Sequence, residues 1–191
     1  REYVLAGGLV GLAAACKYPG ALASIAVVAA HLLARRSPLA RGLWLSGAAA
    51  LGVFAFCSPY VLLDFGAFES HFSAQVAQME RGRGEIVGRG WLHHLRFSLP
   101  VNGGWVALVL LGIGMVATVR RRHAAGGVVL AAFVGYWAVM GAGQTVFARY
   151  ALPLIALQAV PIGTAVRWPG RGALVLAVVL LAQPLYASWM Q

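Results

Sequence analysis

The chain has 191 residues, of which 61% are hydrophobic and 10% charged, with a formal net charge of +10. A water-soluble domain carries roughly 25% charged residues, so this composition excludes an ordinary soluble globule. The basic residues lie in short runs between apolar segments, which also excludes a nucleic-acid-binding patch.

The first element is defined by its break. Apolar runs at 3–16 and 21–34 are separated only by Lys17-Tyr18-Pro19-Gly20. A cation at the centre of a bilayer costs about 2.5–3.5 kcal/mol on insertion scales. Pro19 disfavours helix at Tyr18 and Gly20 tolerates a turn, so the chain is expected to break there with Lys17 at a membrane surface. The alternative is one long bent helix. Seven apolar stretches read as spans near the length a bilayer needs: 3–17, 19–34, 42–63, 101–119, 124–141, 150–166 and 172–189. The expected fold class is therefore all-α, a polytopic transmembrane bundle of about seven spans forming one domain over 1–191. Arg35, Arg36 and Arg41 follow the second span, Arg120 to Arg122 the fourth, and Arg167 and Arg171 the sixth. With alternating spans these loops share one side, which the positive-inside rule makes cytoplasmic. No internal repeat and no low-complexity linker stands out. The chain opens at Arg1 without a signal peptide and is expected to be part of a longer protein. Cys16 and Cys57 do not make a disulfide framework and read as small buried hydrophobes.

The loop at 64–100 then lies on the outer face. Phe65, Phe68, Phe72, Val76 and Met79 recur at spacings of three and four, predicting an interfacial amphipathic helix capped by Asp64. Arg81-Gly82-Arg83-Gly84-Glu85 reads as a basic hinge. Residues 91–99 predict a second surface helix that re-enters the membrane at Pro100. The turn at 141–150 brings Arg149 and Tyr150 to the head of the sixth span, where Pro153 falls harmlessly in the first turn. Lys17 and Arg149 are thus two cations expected on one face, each beside a tyrosine. Arginine grips phosphate bidentately, and lysine offers a point charge.

Gly11-Leu12-Ala13-Ala14-Ala15-Cys16-Lys17-Tyr18-Pro19 resembles the "GLAxxTKY" helix end of GT-C type membrane glycosyltransferases. Ser58-Pro59-Tyr60 with Asp64-Phe65, Trp91-Leu92 and the stretch His94-Leu95-Arg96-Phe97-Ser98-Leu99-Pro100 resemble the outer loop of bacterial members. Phe147-Ala148-Arg149-Tyr150-Ala151-Leu152-Pro153-Leu154 resembles their "RYxLPLxP" helix start. The group includes protein O-mannosyltransferases and the aminoarabinose transferases of lipid A. The resemblance implies a multi-pass protein of the bacterial inner membrane and a polyprenyl-phosphate sugar donor. It further implies inverting transfer, at an extracytoplasmic site, to a lipid, glycan or protein acceptor. It places the catalytic aspartate in a first outer loop upstream of this chain, leaving no catalytic residue to assign here.

On that reading Lys17 and Arg149 bind the lipid phosphate. Tyr18, Tyr150, Asp64, His71 and Arg96 are the candidate headgroup or sugar contacts. Each has a plainer role: snorkelling for Lys17, a topology charge for Arg149, interface anchors for the tyrosines, a helix cap for Asp64. No cofactor and no metal are expected, because His93 and His94 are adjacent and point apart on a helix, and no H-x-x-x-H or carboxylate cluster accompanies His71. His31 reads as a helix-packing residue, and Gly7 and Gly11 as close-packing positions. A transporter or flippase is the competing class, weakened by the lack of acidic residues within spans. A non-catalytic membrane scaffold is the third.

Overall fold

The computed structural model describes residues 1–81, 90–144, 148–165 and 182, with backbone alone at 148 and 149. The described residues are helical throughout and include no strand. The chain divides into two compact units, Arg1–Gln78 and Met79–Gln191, described in turn.

In the first unit α1 (Glu2–Cys16) ends where sequence chemistry requires. Lys17 adopts an extended backbone, and Pro19 opens a 3₁₀ helix over Tyr18–Ala23 that leads into α2 (Ser24–Leu33). The chain doubles back here. A Cβ on Gly20 would collide with the carbonyl of Ala13, so the 3₁₀ turn lies against the end of α1. At the other end, Tyr3 meets His31. The first two apolar runs are therefore an antiparallel hairpin with Lys17 at its tip, and the single bent helix is excluded. α3 (Arg41–Cys57) packs beside α1 through glycine. A Cβ on Gly7 would strike the Ser46 carbonyl, one on Gly11 that of Ala50, and one on Gly42 the ring of Tyr3. The contacts advance together along both helices, so α1 and α3 run parallel, and the expected close-packing role of Gly7 and Gly11 holds. The span expected at 42–63 is shorter than the sequence suggested. It stops at Cys57, because Pro59 cannot continue the backbone ladder, and a separate short helix α4 (Tyr60–Leu63) follows. Asp64 then caps α5 (Phe65–Arg81) as expected: the Ala67 N–H donates to its Oδ1 at 3.1 Å. Both cysteines are free and exposed, which corrects the expectation that they are buried.

The second unit opens with α6 (Gly90–His93), a π-helical turn (His94–Ser98) and α7 (Leu99–Gly103). α8 (Trp105–Arg121) leaves at 114° to this segment. Pro100, where the surface helix was expected to re-enter the membrane, sits in the first turn of α7, where its missing donor costs little. The bend falls at Gly104, whose φ of 88° only glycine adopts without strain. α9 (Ala124–Gly141) follows, capped by the His123 ring, which accepts from the Gly126 N–H at 3.3 Å. A 3₁₀ turn (Ala148–Ala151) introduces α10 (Leu152–Ala165). α8 and α10 meet at Gly114, where a Cβ would strike the Pro161 carbonyl, and further along at Thr118 and Thr164, whose hydroxyls lie 3.1 Å apart. Arg121 donates to the Thr164 carbonyl at 2.9 Å and so satisfies the C-terminal end of α10. The last expected span, 172–189, lies outside the described residues apart from Ala182, as do the hinge glycines.

The long helices expose much of their apolar surface, as at Leu5, Leu9, Leu51 and Phe56 in the first unit and Val109, Val116 and Val119 in the second. Among the described residues α9 alone is long and apolar enough to cross a membrane, and α8 joins it if the bent pair is one span; α1, α3, α10 and the 3₁₀–α2 segment are apolar but shorter.

Candidate functional site

Lys17 stands at the C-cap of α1, exposed, with its N–H donating to the Ala13 carbonyl at 3.1 Å. It is the sole lysine of the chain. The helix terminus carries partial negative charge, which favours a cation there. Tyr18, next in sequence, is the centre of an aromatic cluster. Its ring makes edge-on contacts with Phe54 of α3 at 6.4 Å, Phe68 at 6.0 Å and Phe72 at 5.7 Å, and Phe68 stacks on Phe72. Such pairs contribute about 0.5–1.5 kcal/mol each beyond simple burial. The apolar face of α5 is thereby fixed over the hairpin tip that carries Lys17. The arrangement provides a cation beside an aromatic-lined surface, which suits an anionic group joined to an apolar chain.

Of the other candidate residues in this unit, Asp64 is spent on its cap, and His71 is exposed on α5. In the second unit Arg96 is exposed and Tyr150 half-buried. Arg149 lies in the 3₁₀ turn at the head of α10, and its side chain is outside the described residues. Lys17 and Arg149 belong to different units, and their convergence stays an expectation. Among the described residues no group of three His, Cys, Asp or Glu side chains gathers to hold a metal.

His94, weighed with His93 only as a metal ligand in the sequence, is a buried polar residue. It is 1% exposed, and its Nδ1 pairs with the Ser98 hydroxyl at 2.9 Å. Nε2 is buried with no hydrogen-bond partner among the described residues. An unmet buried polar atom costs about 1–3 kcal/mol. Burial lowers the His94 pKa and neighbouring His93 lowers it further, so the ring is held neutral. The segment is locked in place: the Trp91 indole donates to the Ala138 carbonyl at 2.8 Å, and Asn102 donates to the Ser98 carbonyl at 2.7 Å. π-helical turns recur at functional sites. The signal in the sequence was only the i, i+4 spacing of His94 and Ser98, which gives no hint of burial.

Comparison with family models, with curated proteins and with solved structures returns no match for this chain.

Proposed function

We propose that this chain belongs to the transmembrane core of a bacterial inner-membrane glycosyltransferase that draws its sugar from a polyprenyl-phosphate donor on the extracytoplasmic face. In this reading the bilayer covers the apolar faces that the long helices expose, and residues 172–189 complete a bundle of about seven spans. A water-soluble monomer rarely exposes apolar patches beyond a few hundred Å². The basic loops at 35–41 and 120–122 lie on the cytoplasmic side. The segment Gly90–Gly103 and helix α5 lie along the outer interface.

The observation that carries the proposal is Lys17 at the hairpin tip, flanked by the Tyr18–Phe68–Phe72 cluster. The motif resemblance centred on the same residues supplies the sugar chemistry. The leaving group in such a transfer is the polyprenyl phosphate. A fixed cation beside it stabilises the negative charge that develops as the anomeric bond breaks. The phenylalanines of α5 present an apolar wall for the prenyl chain.

The test is turnover of a polyprenyl-phosphate sugar by the membrane-inserted full-length protein carrying Lys17→Met or Lys17→Arg. A charge-assisted contact is worth about 1.5–3 kcal/mol. Lys17→Met should therefore lose about tenfold to a hundredfold in kcat/KM at equal expression, with Lys17→Arg losing less. Unchanged donor kinetics in Lys17→Met would reduce Lys17 to a surface anchor and remove the proposal's main support.

A further inference from the structure

Two clefts adjoin α2, a larger one at the end of the hairpin opposite Lys17 and a smaller one running along the helix from Ser24. One, of about 460 Å³, runs between α1 and α2 past Ala6, Val27 and Ala30 to Tyr3, His31 and Arg36. The other, of about 360 Å³, passes Val10, Val27, Val28 and Trp44 to Pro38. They share Val27, and both reach the loop at 34–40. Each is within the size of ligand pockets, about 300–1,000 Å³. α2 buries only His31 within its own helix, so much of its surface is left to line these spaces.

Apart from the Ser24 and Ser46 hydroxyls in the smaller cleft, the walls between the ends are mostly alkyl and methyl groups. The polar groups at the loop end of the larger cleft are already engaged with one another. His31 Nε2–H donates to the Ser37 carbonyl at 2.7 Å, so Nδ1 accepts from the Tyr3 hydroxyl at 2.6 Å. What remains at the mouth is charge. Arg36 lines the larger cleft, Arg35 precedes it in a left-handed conformation with φ of 54°, and Arg41 opens α3. Against these three cations the cleft holds one acid, Glu2. Two apolar slots ending at one arginine-bearing loop match two acyl chains joined to one anionic headgroup.

We propose that the clefts beside α2 bind an anionic diacyl phospholipid of the cytoplasmic leaflet, its chains along Ala30 and Val27 and its phosphate on Arg36. The site is separate from the Lys17 tip, and it rests on the membrane reading alone, not on sugar transfer. Bound lipid fills the space beside a helix that the protein itself packs thinly.

The test is native mass spectrometry of the purified, delipidated full-length protein in detergent, titrated separately with phosphatidylglycerol, phosphatidylcholine and inorganic phosphate. Phosphatidylglycerol should bind with one saturable high-affinity stoichiometry and phosphatidylcholine roughly tenfold more weakly. Arg36→Gln, at an exposed position, should erase that preference without lowering the melting temperature. Ala30→Leu should obstruct the larger cleft and weaken both lipids. Equal binding of the two lipids, binding unchanged in both variants, or displacement by millimolar inorganic phosphate alone would each overturn the proposal. Flotation with vesicles separates the two levels of argument. A protein that floats yet shows no lipid preference loses only this inference, whereas one that fails to float loses the membrane reading with it.

Discussion

The hydroxyl of Tyr3 reaches Nδ1 of His31 at 2.6 Å across 28 residues of sequence. That bond, with the Ser37 carbonyl on the far side of the ring, closes the α1–α2 hairpin at its basic end. It thereby places Lys17 at the other end, one helix length away, or ~21 Å at 1.5 Å per residue. One unit thus carries a lone lysine at one end and Arg35, Arg36 and Arg41 at the other.

This separation predicts sidedness. In a background lacking Cys16 and Cys57, single cysteines at Ser37 and Arg121 should resist an impermeant thiol reagent added outside intact cells. A cysteine at Ser70 should react. Reaction at Arg121 together with silence at Ser70 would invert the topology and place Lys17 on the cytoplasmic side.

The aromatic cluster predicts a tether. Phe72→Ser and Phe68→Ser each remove one Tyr18 contact, together about 1–3 kcal/mol of pairing. The double variant should raise the rate of limited proteolysis near α5 by roughly tenfold while leaving membrane insertion intact. Phe65→Ser serves as the comparison, since Phe65 contacts Phe68 but is not among the rings on Tyr18. Equal proteolysis in the double variant and the unaltered protein would show that α5 is held by other means.

Glycine packing predicts a sharp contrast between neighbouring positions. Gly7→Ala forces a methyl into the Ser46 carbonyl, whereas a Cβ on Gly47 meets nothing within 4 Å. Gly7→Ala should destabilise by about 1–3 kcal/mol. Gly47→Ala should stabilise by about 0.5–1 kcal/mol through helix propensity. Unfolding in mixed detergent micelles measures both, and a neutral Gly7→Ala would refute the close α1–α3 contact.

His94 predicts acid sensitivity. Burial, and then His93, holds its imidazole neutral in the folded protein, below the ordinary value near 6.5. The unfolded chain takes up the proton first as pH falls. The contribution of neutral His94 is therefore complete above about pH 6.5 and is lost below it, by at most about 1.4 kcal/mol per pH unit. The melting temperature should drop between pH 7.5 and 5.5, and His94→Gln should flatten that drop. An identical pH profile in the variant would show that His94 titrates alike in both states.

Much of the architecture was legible in the residues themselves. Period-3.6 phenylalanines with Asp64 in front gave the amphipathic helix and its cap, and Lys17-Tyr18-Pro19-Gly20 gave the break. These are local effects: a side chain reaches its own backbone, and a proline removes its own donor. Helix ends set by competition between neighbours were less legible. The bend came at Gly104 and not at Pro100, because a proline in a first turn is harmless while a φ of 88° suits glycine alone.

By itself the sequence determined that the described residues are helical and largely apolar, and where the cations fall along the chain. It did not determine which atoms meet. Whether Lys17 sat in one bent helix or at a hairpin tip depended on Gly20 meeting Ala13 and Tyr3 meeting His31, contacts between residues far apart along the chain. The burial of His94 beside Ser98, and the clefts beside α2, depended likewise on how helices stack. Spacing along a chain fixes a residue's face on its own helix, but only packing fixes what that face meets.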